Sequence, residues 1–133
     1  MTRRGFLSLL AFVAASAPRL ARAHHSTAMF DQGVRITLIG VVKEFQWANP
    51  HAWIQVMAQG TDGAPTEWSV ECGSPNTLSR QGWKPTMLKA DDKVVIVVNP
   101  MKDGTHAGLL VTLTLADGRV LGPGANQQVA PRG

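Results

Sequence analysis

The chain has almost no cysteine, no long apolar run and, once its first residues are set aside, no excess of charge of either sign. Cys72 is the only cysteine among 133 residues, so no disulfide forms within one copy of the chain. A single cysteine can be a soft metal ligand, but in step with Trp68 and Val70 it reads as a small buried hydrophobe. The longest apolar stretch near the start, Leu9 to Ala15, is too short to span a bilayer. The sequence also lacks a hydrolase elbow, a phosphate-binding glycine loop, a paired-cysteine motif and a haem-attachment motif. These absences weaken the case for an enzyme. They leave a single modest domain that must hold itself together by packing.

What is present begins with an export signal. Thr2-Arg3-Arg4-Gly5-Phe6-Leu7, the apolar run and Ala21-Arg22-Ala23 give a charged start, a short hydrophobic centre and a small-residue cleavage site. The order of the first residues resembles the twin-arginine signal, which a receptor reads and which does not anchor. Cleavage after Ala23 and a periplasmic destination are expected. The signal (1–23) holds four of the thirteen basic residues and no acid, so the remainder carries nine of each sign. The formal net charge of +4 therefore belongs to the signal. That removes the electrostatic case for nucleic acid, which rests on a basic face. No membrane-spanning segment is expected in the mature chain.

A segment from 24 to 33 leads into a barrel domain from 34 to 121, and a Gly, Pro, Ala and Gln-rich tail from 122 to 133 is expected to be disordered. Val34, Ile36 and Leu38 alternate with Arg35 and Thr37; beyond Gly40 the apolar set moves to Val41, Phe45 and Trp47. A change of parity at a glycine predicts a bent or bulged first strand, pairing on both sides. Asn49-Pro50 closes it. The second strand runs from about His51 to Gln59, with Ala52, Ile54 and Val56 on one face and Trp53, Gln55 and Met57 on the other. The third, Thr66 to Cys72, points Trp68, Val70 and Cys72 inward and Glu67, Ser69 and Glu71 outward to solvent. Ser74 and Pro75 start a short helix that ends near Gly82, with Trp83 covering the barrel end. Val94 to Val98 reads as a strand buried on both faces. Leu109, Val111, Leu113 and Leu115 alternate in a fifth, and Asp117-Gly118 turns into Val120-Leu121. Three strands, a helix and two strands, the first one long and bent, is the order of an OB-like five-stranded barrel: all-β with one short helix. A β-sandwich is the alternative.

Histidines carry the candidate chemistry. Cleavage after Ala23 would make His24 the first residue, whose free amine and ring nitrogen chelate one ion; a second imidazole would complete a three-nitrogen brace. Such donors suit Cu(II). His25 offers a further local donor. His51, at the end of the first loop, is the expected second imidazole, because in this fold that loop flanks the binding face together with the fourth-to-fifth-strand loop, where His106 lies. Each has an ordinary alternative: terminal histidines left by cleavage, a turn-bonded His51, a solvated His106. Trp53 and Gln55 on the outer barrel face are the candidate contacts of a metal-free module binding a small ligand or a periplasmic protein. Trp47, Trp68 and Trp83 read as core or barrel-end packing. Glu67 and Glu71 have no nucleophile to serve. The readings, in order, are a copper-binding carrier, chaperone or sensor; a metal-free interaction module; and a copper oxidoreductase.

His24-His25-Ser26, Ala28-Met29-Phe30-Asp31, Lys43-Glu44-Phe45-Gln46-Trp47, Asn49-Pro50-His51-Ala52-Trp53-Ile54, Ser74-Pro75-Asn76, Gln81-Gly82-Trp83 and Asp117-Gly118-Arg119 together resemble a family of small exported bacterial proteins classed as a domain of unknown function. The resemblance spans nearly the whole mature chain. It implies a periplasmic location and no established activity. His24, His25 and His51 fall on its pattern; His106, Cys72 and Ala90-Asp91 depart from it.

Overall fold

The computed structural model describes residues 27–59 and 63–127. The expected signal, His24, His25 and residues 128–133 lie outside the described residues. Within them run β1 (Ile36–Gln46), β2 (Trp53–Gln59), β3 (Pro65–Glu71), α1 (Pro75–Arg80), β4 (Lys93–Pro100), β5 (Ala107–Thr114) and the short β6 (Val120–Leu121). Two 3-10 turns, Thr27–Met29 and Ala125–Gln127, flank this set. Among the described residues no helix is long and apolar enough to cross a membrane.

The strands close a ring in the order β1-β2-β3-β5-β4 and back to β1. All neighbours in the ring are antiparallel except β3 and β5. This is the five-stranded OB-like barrel, with α1 between β3 and β4 and with β6 added outside the ring on β5. β1 closes it by pairing with β4 over Ile36–Val41 and with β2 over Gly40–Gln46.

The bulge in β1 falls between Val42 and Glu44, not at Gly40. Val42 faces inward at 1 % exposure, and parity changes only after Lys43, the extra residue. Gly40 serves a different need. It sits where β1 is paired on both sides, and a Cβ there would meet the Met57 carbonyl oxygen at 1.9 Å. Two further expectations are corrected. β4 is buried on one face, Val94, Ile96 and Val98, while Val95 is exposed. In β5 the alternation is broken by a register shift opposite Val97 and Val98, so Leu110 and Leu113 fill the core while Leu109 and Val111 face elsewhere.

Ile54, Ile96, Leu113, Val42, Val56, Val70 and Val98 form the fully buried centre. Burying each contributes roughly 1.5–3 kcal/mol. Trp83 plugs one end against Phe45, with ring centroids 6.3 Å apart, and Phe45 packs edge-on to Trp47 at 5.7 Å. α1 starts as its sequence requires: the Ser74 hydroxyl accepts from the Thr77 N–H at 3.2 Å, and Pro75 follows at the first helical position.

Both flanking segments fold onto the barrel. Phe30 is buried and bridges Met101, and Asp31 N–H donates to the Pro100 carbonyl at 2.8 Å. Asn99 donates its side-chain amide to the Val34 carbonyl at 2.8 Å. Residues 122–127, expected to lack structure, begin with Gly124 hydrogen-bonded to the Val111 carbonyl at 2.9 Å and continue into the Ala125–Gln127 turn. Gly124 has no side chain because Val111 Cγ1 would lie 2.7 Å from a Cβ.

Candidate functional site

His51 lies in the loop after β1, past Asn49-Pro50. Its backbone neighbour Ala52 donates to the Gly73 carbonyl at 3.0 Å and accepts from the Cys72 N–H at 2.8 Å, which carries the β2–β3 ladder beyond the strands. That fixes the imidazole over the end of β3. Its Nδ1 lies 3.2 Å from the Cys72 carbonyl oxygen. A carbonyl only accepts, so Nδ1 carries the proton, and the other nitrogen is the one left for further chemistry.

That nitrogen, Nε2, lies 3.6 Å from Oε1 of Glu71. Strand alternation puts Glu71 on the outer barrel face, as read from the sequence, but solvent is not what it meets: it is 3 % exposed. Its second carboxylate oxygen, Oε2, is buried without a hydrogen-bond partner. The cause is tertiary. Glu71 stands opposite Trp53 on β2 and Leu109 on β5, and segments distant in sequence close over it.

The two groups border a cavity of about 540 Å³. Leu109 and Val111 from β5, Leu78 from α1 and Phe30 from the N-terminal segment give it apolar walls, and Arg35 borders it ahead of β1. Thr27, the first described residue, borders the same cavity. Volumes of this order are those of small-ligand sites, in which a few polar groups converge on an apolar enclosure.

Cys72 borders the cavity too, but its side chain is 3 % exposed, with its thiol directed to the Val70 carbonyl at 3.7 Å. Burial, and then the charge of Glu71, push the thiol up to about 12. At neutral pH it is an un-ionised core group rather than a thiolate ligand.

His106 is held elsewhere. Its ring stacks on Trp68 at 5.2 Å, and its carbonyl accepts from the Ser69 N–H at 3.1 Å. Among the described residues no group of three His, Cys, Asp or Glu side chains is placed to hold a metal ion. The structure thus brings His51 together with Glu71, which the sequence reading had left in solvent. Trp53 and Gln55 do share the outer face of β2, where both are half-buried. Gln55 is already engaged: it donates to Gln46 Oε1 at 3.2 Å and accepts from the Ser69 hydroxyl, and Gln46 donates to Glu44. This chain of side chains ties β1, β2 and β3 together across that face.

The profile of a family described as a family of unknown function (DUF6152) matches residues 11–111, most of the chain, and the protein belongs to that family. No curated protein and no solved structure matches it.

Proposed function

We propose that this family member is a periplasmic metal-binding protein, a carrier, chaperone or sensor, whose ion is of the copper type. The ion is held by His51, by the ring and free amine of His24, and by His25 as a further donor. The observation that carries the reading is the orientation of the His51 ring between the Cys72 carbonyl and Glu71. Its Nδ1 faces the Cys72 carbonyl, so its Nε2 is the nitrogen directed at the buried carboxyl of Glu71 beside the cavity. A lone pair opposite a carboxylate is stabilised by a positive charge between them.

Thr27 on the same cavity supports the participation of the N-terminus. His24 precedes it by three residues, a span of at most about 11 Å. Imidazole and amine nitrogens suit Cu(II) by ligand type and by the affinity order of divalent ions. The assigned role is binding rather than catalysis. The experiment is Cu(II) titration of the protein processed to begin at His24, followed by electron paramagnetic resonance.

A further inference from the structure

We infer that the cavity beside the β3–β5 seam is a binding site for a small organic amine, whose apolar body lies against Leu109 and Val111 and whose ammonium head donates to the carboxyl of Glu71. The inference goes beyond the metal reading and does not depend on it. Every residue it uses is described, and its test is run without metal.

The enclosure is the first argument. Glu71 and Leu109 are partners where β3 and β5 run parallel, and with Val111 they line the barrel side of the cavity. Phe30 and Leu78 line it from the segments packed outside. Those segments are fixed by backbone hydrogen bonds. Asp31 N–H donates to the Pro100 carbonyl at 2.8 Å, Lys102 N–H to the Met29 carbonyl at 3.0 Å, and Gly124 N–H to the Val111 carbonyl at 2.9 Å. The space is therefore part of the fold rather than a gap under a loose loop. An apolar cavity of roughly 150 Å³ already accepts a benzene ring. At about 540 Å³ this one has room for a ring, a short arm and a polar head.

The carboxyl is the second argument. Glu71 is 3 % exposed and borders the cavity. Among the described residues its Oε2 is the one buried side-chain nitrogen or oxygen without a hydrogen-bond partner. Asn99, on the same cavity, shows the contrast: its amide donates to the Val34 carbonyl at 2.8 Å. His51 does not fill the need. Its Nε2 stands at ion-pair distance from Oε1, 3.6 Å, which is longer than a hydrogen bond, and it leaves Oε2 without a donor. Burying a carboxyl without a donor is costly, and a bound donor removes that cost. The terminal torsion of a glutamate is broad, so either oxygen can meet a donor held in the cavity.

Charge selects the head. A charged donor makes a shorter bond to a carboxylate, roughly twice as strong as that of a neutral donor. A ligand with its own carboxylate would meet Glu71 as a like charge. A wholly apolar ligand would leave Oε2 unpaired.

The test titrates 2-phenylethylamine, 2-phenylethanol and 3-phenylpropanoate into the isotopically labelled chain beginning at His24, which retains every described residue. Binding is read from backbone amide shifts in the presence of EDTA. The same titrations are run on Glu71→Gln and Leu109→Phe, with thermal unfolding of all three proteins. The amine is expected to bind with a Kd of about 1 mM or tighter and to shift the amides of Gly73, Leu109 and Val111. The alcohol is expected to bind about tenfold more weakly, and the carboxylate not at all. Glu71→Gln is expected to lower amine affinity about tenfold and to leave the alcohol near its parent value. Leu109→Phe fills the cavity and keeps the carboxyl, so it is expected to weaken both. Equal affinity for amine and alcohol overturns the inference, as does an equal loss for both in Glu71→Gln, which would make Glu71 a structural partner of His51. Shifts confined to other parts of the barrel, or no binding of any of the three probes, overturn the site itself. The Cu(II) titration is read separately, so either reading can fail while the other stands.

Discussion

Nε2 of His51 faces Oε1 of Glu71 across 3.6 Å, one group set by the loop after β1 and the other by the last residue of β3. The ladder continued by Ala52, Cys72 and Gly73 holds the two in register, so the separation is a property of the barrel rather than of a mobile loop. The proposed function rests on this pair, in which Glu71 is buried and the His51 ring is partly exposed.

Gly40 is the tightest point of that fold. Gly40→Ala would set a Cβ against the Met57 carbonyl, with further contacts at 2.8 Å, all to backbone. Backbone cannot give way as a side-chain tip can. Overpacking of this kind costs about 1–3 kcal/mol and occasionally more, and the upper part of that range is expected here. Urea unfolding of the variant checks it; a midpoint equal to the parent's would show that the two strands are not in the contact described.

Cys72 sets an alkaline limit to stability. Its thiol is pushed up to about 12 in the folded chain, from an ordinary value of 9.0. Below pH 9 both states keep the proton and the group contributes no pH dependence. Above it the unfolded chain ionises first, so stability falls by about 1.4 kcal/mol per pH unit until the folded thiol titrates. Urea midpoints measured between pH 8 and 11 for the parent and for Cys72→Ala give this slope as their difference. In the same range the native thiol is expected to resist a disulfide-exchange reagent until the chain unfolds.

Ser74 tests the smallest element. The helix it caps has six residues and too few internal hydrogen bonds to stand without tertiary packing. Ser74→Ala removes the acceptor for the Thr77 N–H and is expected to cost about 1 kcal/mol. Because Leu78 and Thr77 border the cavity, the same variant is expected to loosen ligand binding modestly; equilibrium unfolding and the Cu(II) titration read the two effects separately.

The sequence made the barrel legible because its signals are local. Alternation in β2 placed Ala52, Ile54 and Val56 on the core face, and all three are buried. Ser74-Pro75 announced the helix, and Asn49-Pro50 the loop that carries His51. The failures are tertiary. Parity switched near Gly40, but the residue that causes the switch is Lys43, whose displacement depends on pairing with β2. Five β-branched residues in β4 looked buried on both faces, yet Val95 is exposed. Leu109 and Val111 read as one alternating face with Leu113 and Leu115 because the register shift opposite Val97 and Val98 leaves no mark in the sequence. Glu71 was placed on the outer face correctly and assigned to solvent wrongly. Nothing within several residues of it reports that Phe30, Leu109 and residues 122–124 come to enclose that part of the face. His51 was legible as a candidate; its buried partner was not.

The most direct measurement of the metal-binding claim is Cu(II) titration of the chain beginning at His24 beside the same chain carrying one extra residue before it, each read by electron paramagnetic resonance. The account predicts one tight equivalent with nitrogen hyperfine structure in the first protein and a weaker, altered signal in the second, whose terminal amine is displaced from the imidazole of His24. Weak binding that is the same in both proteins would contradict it.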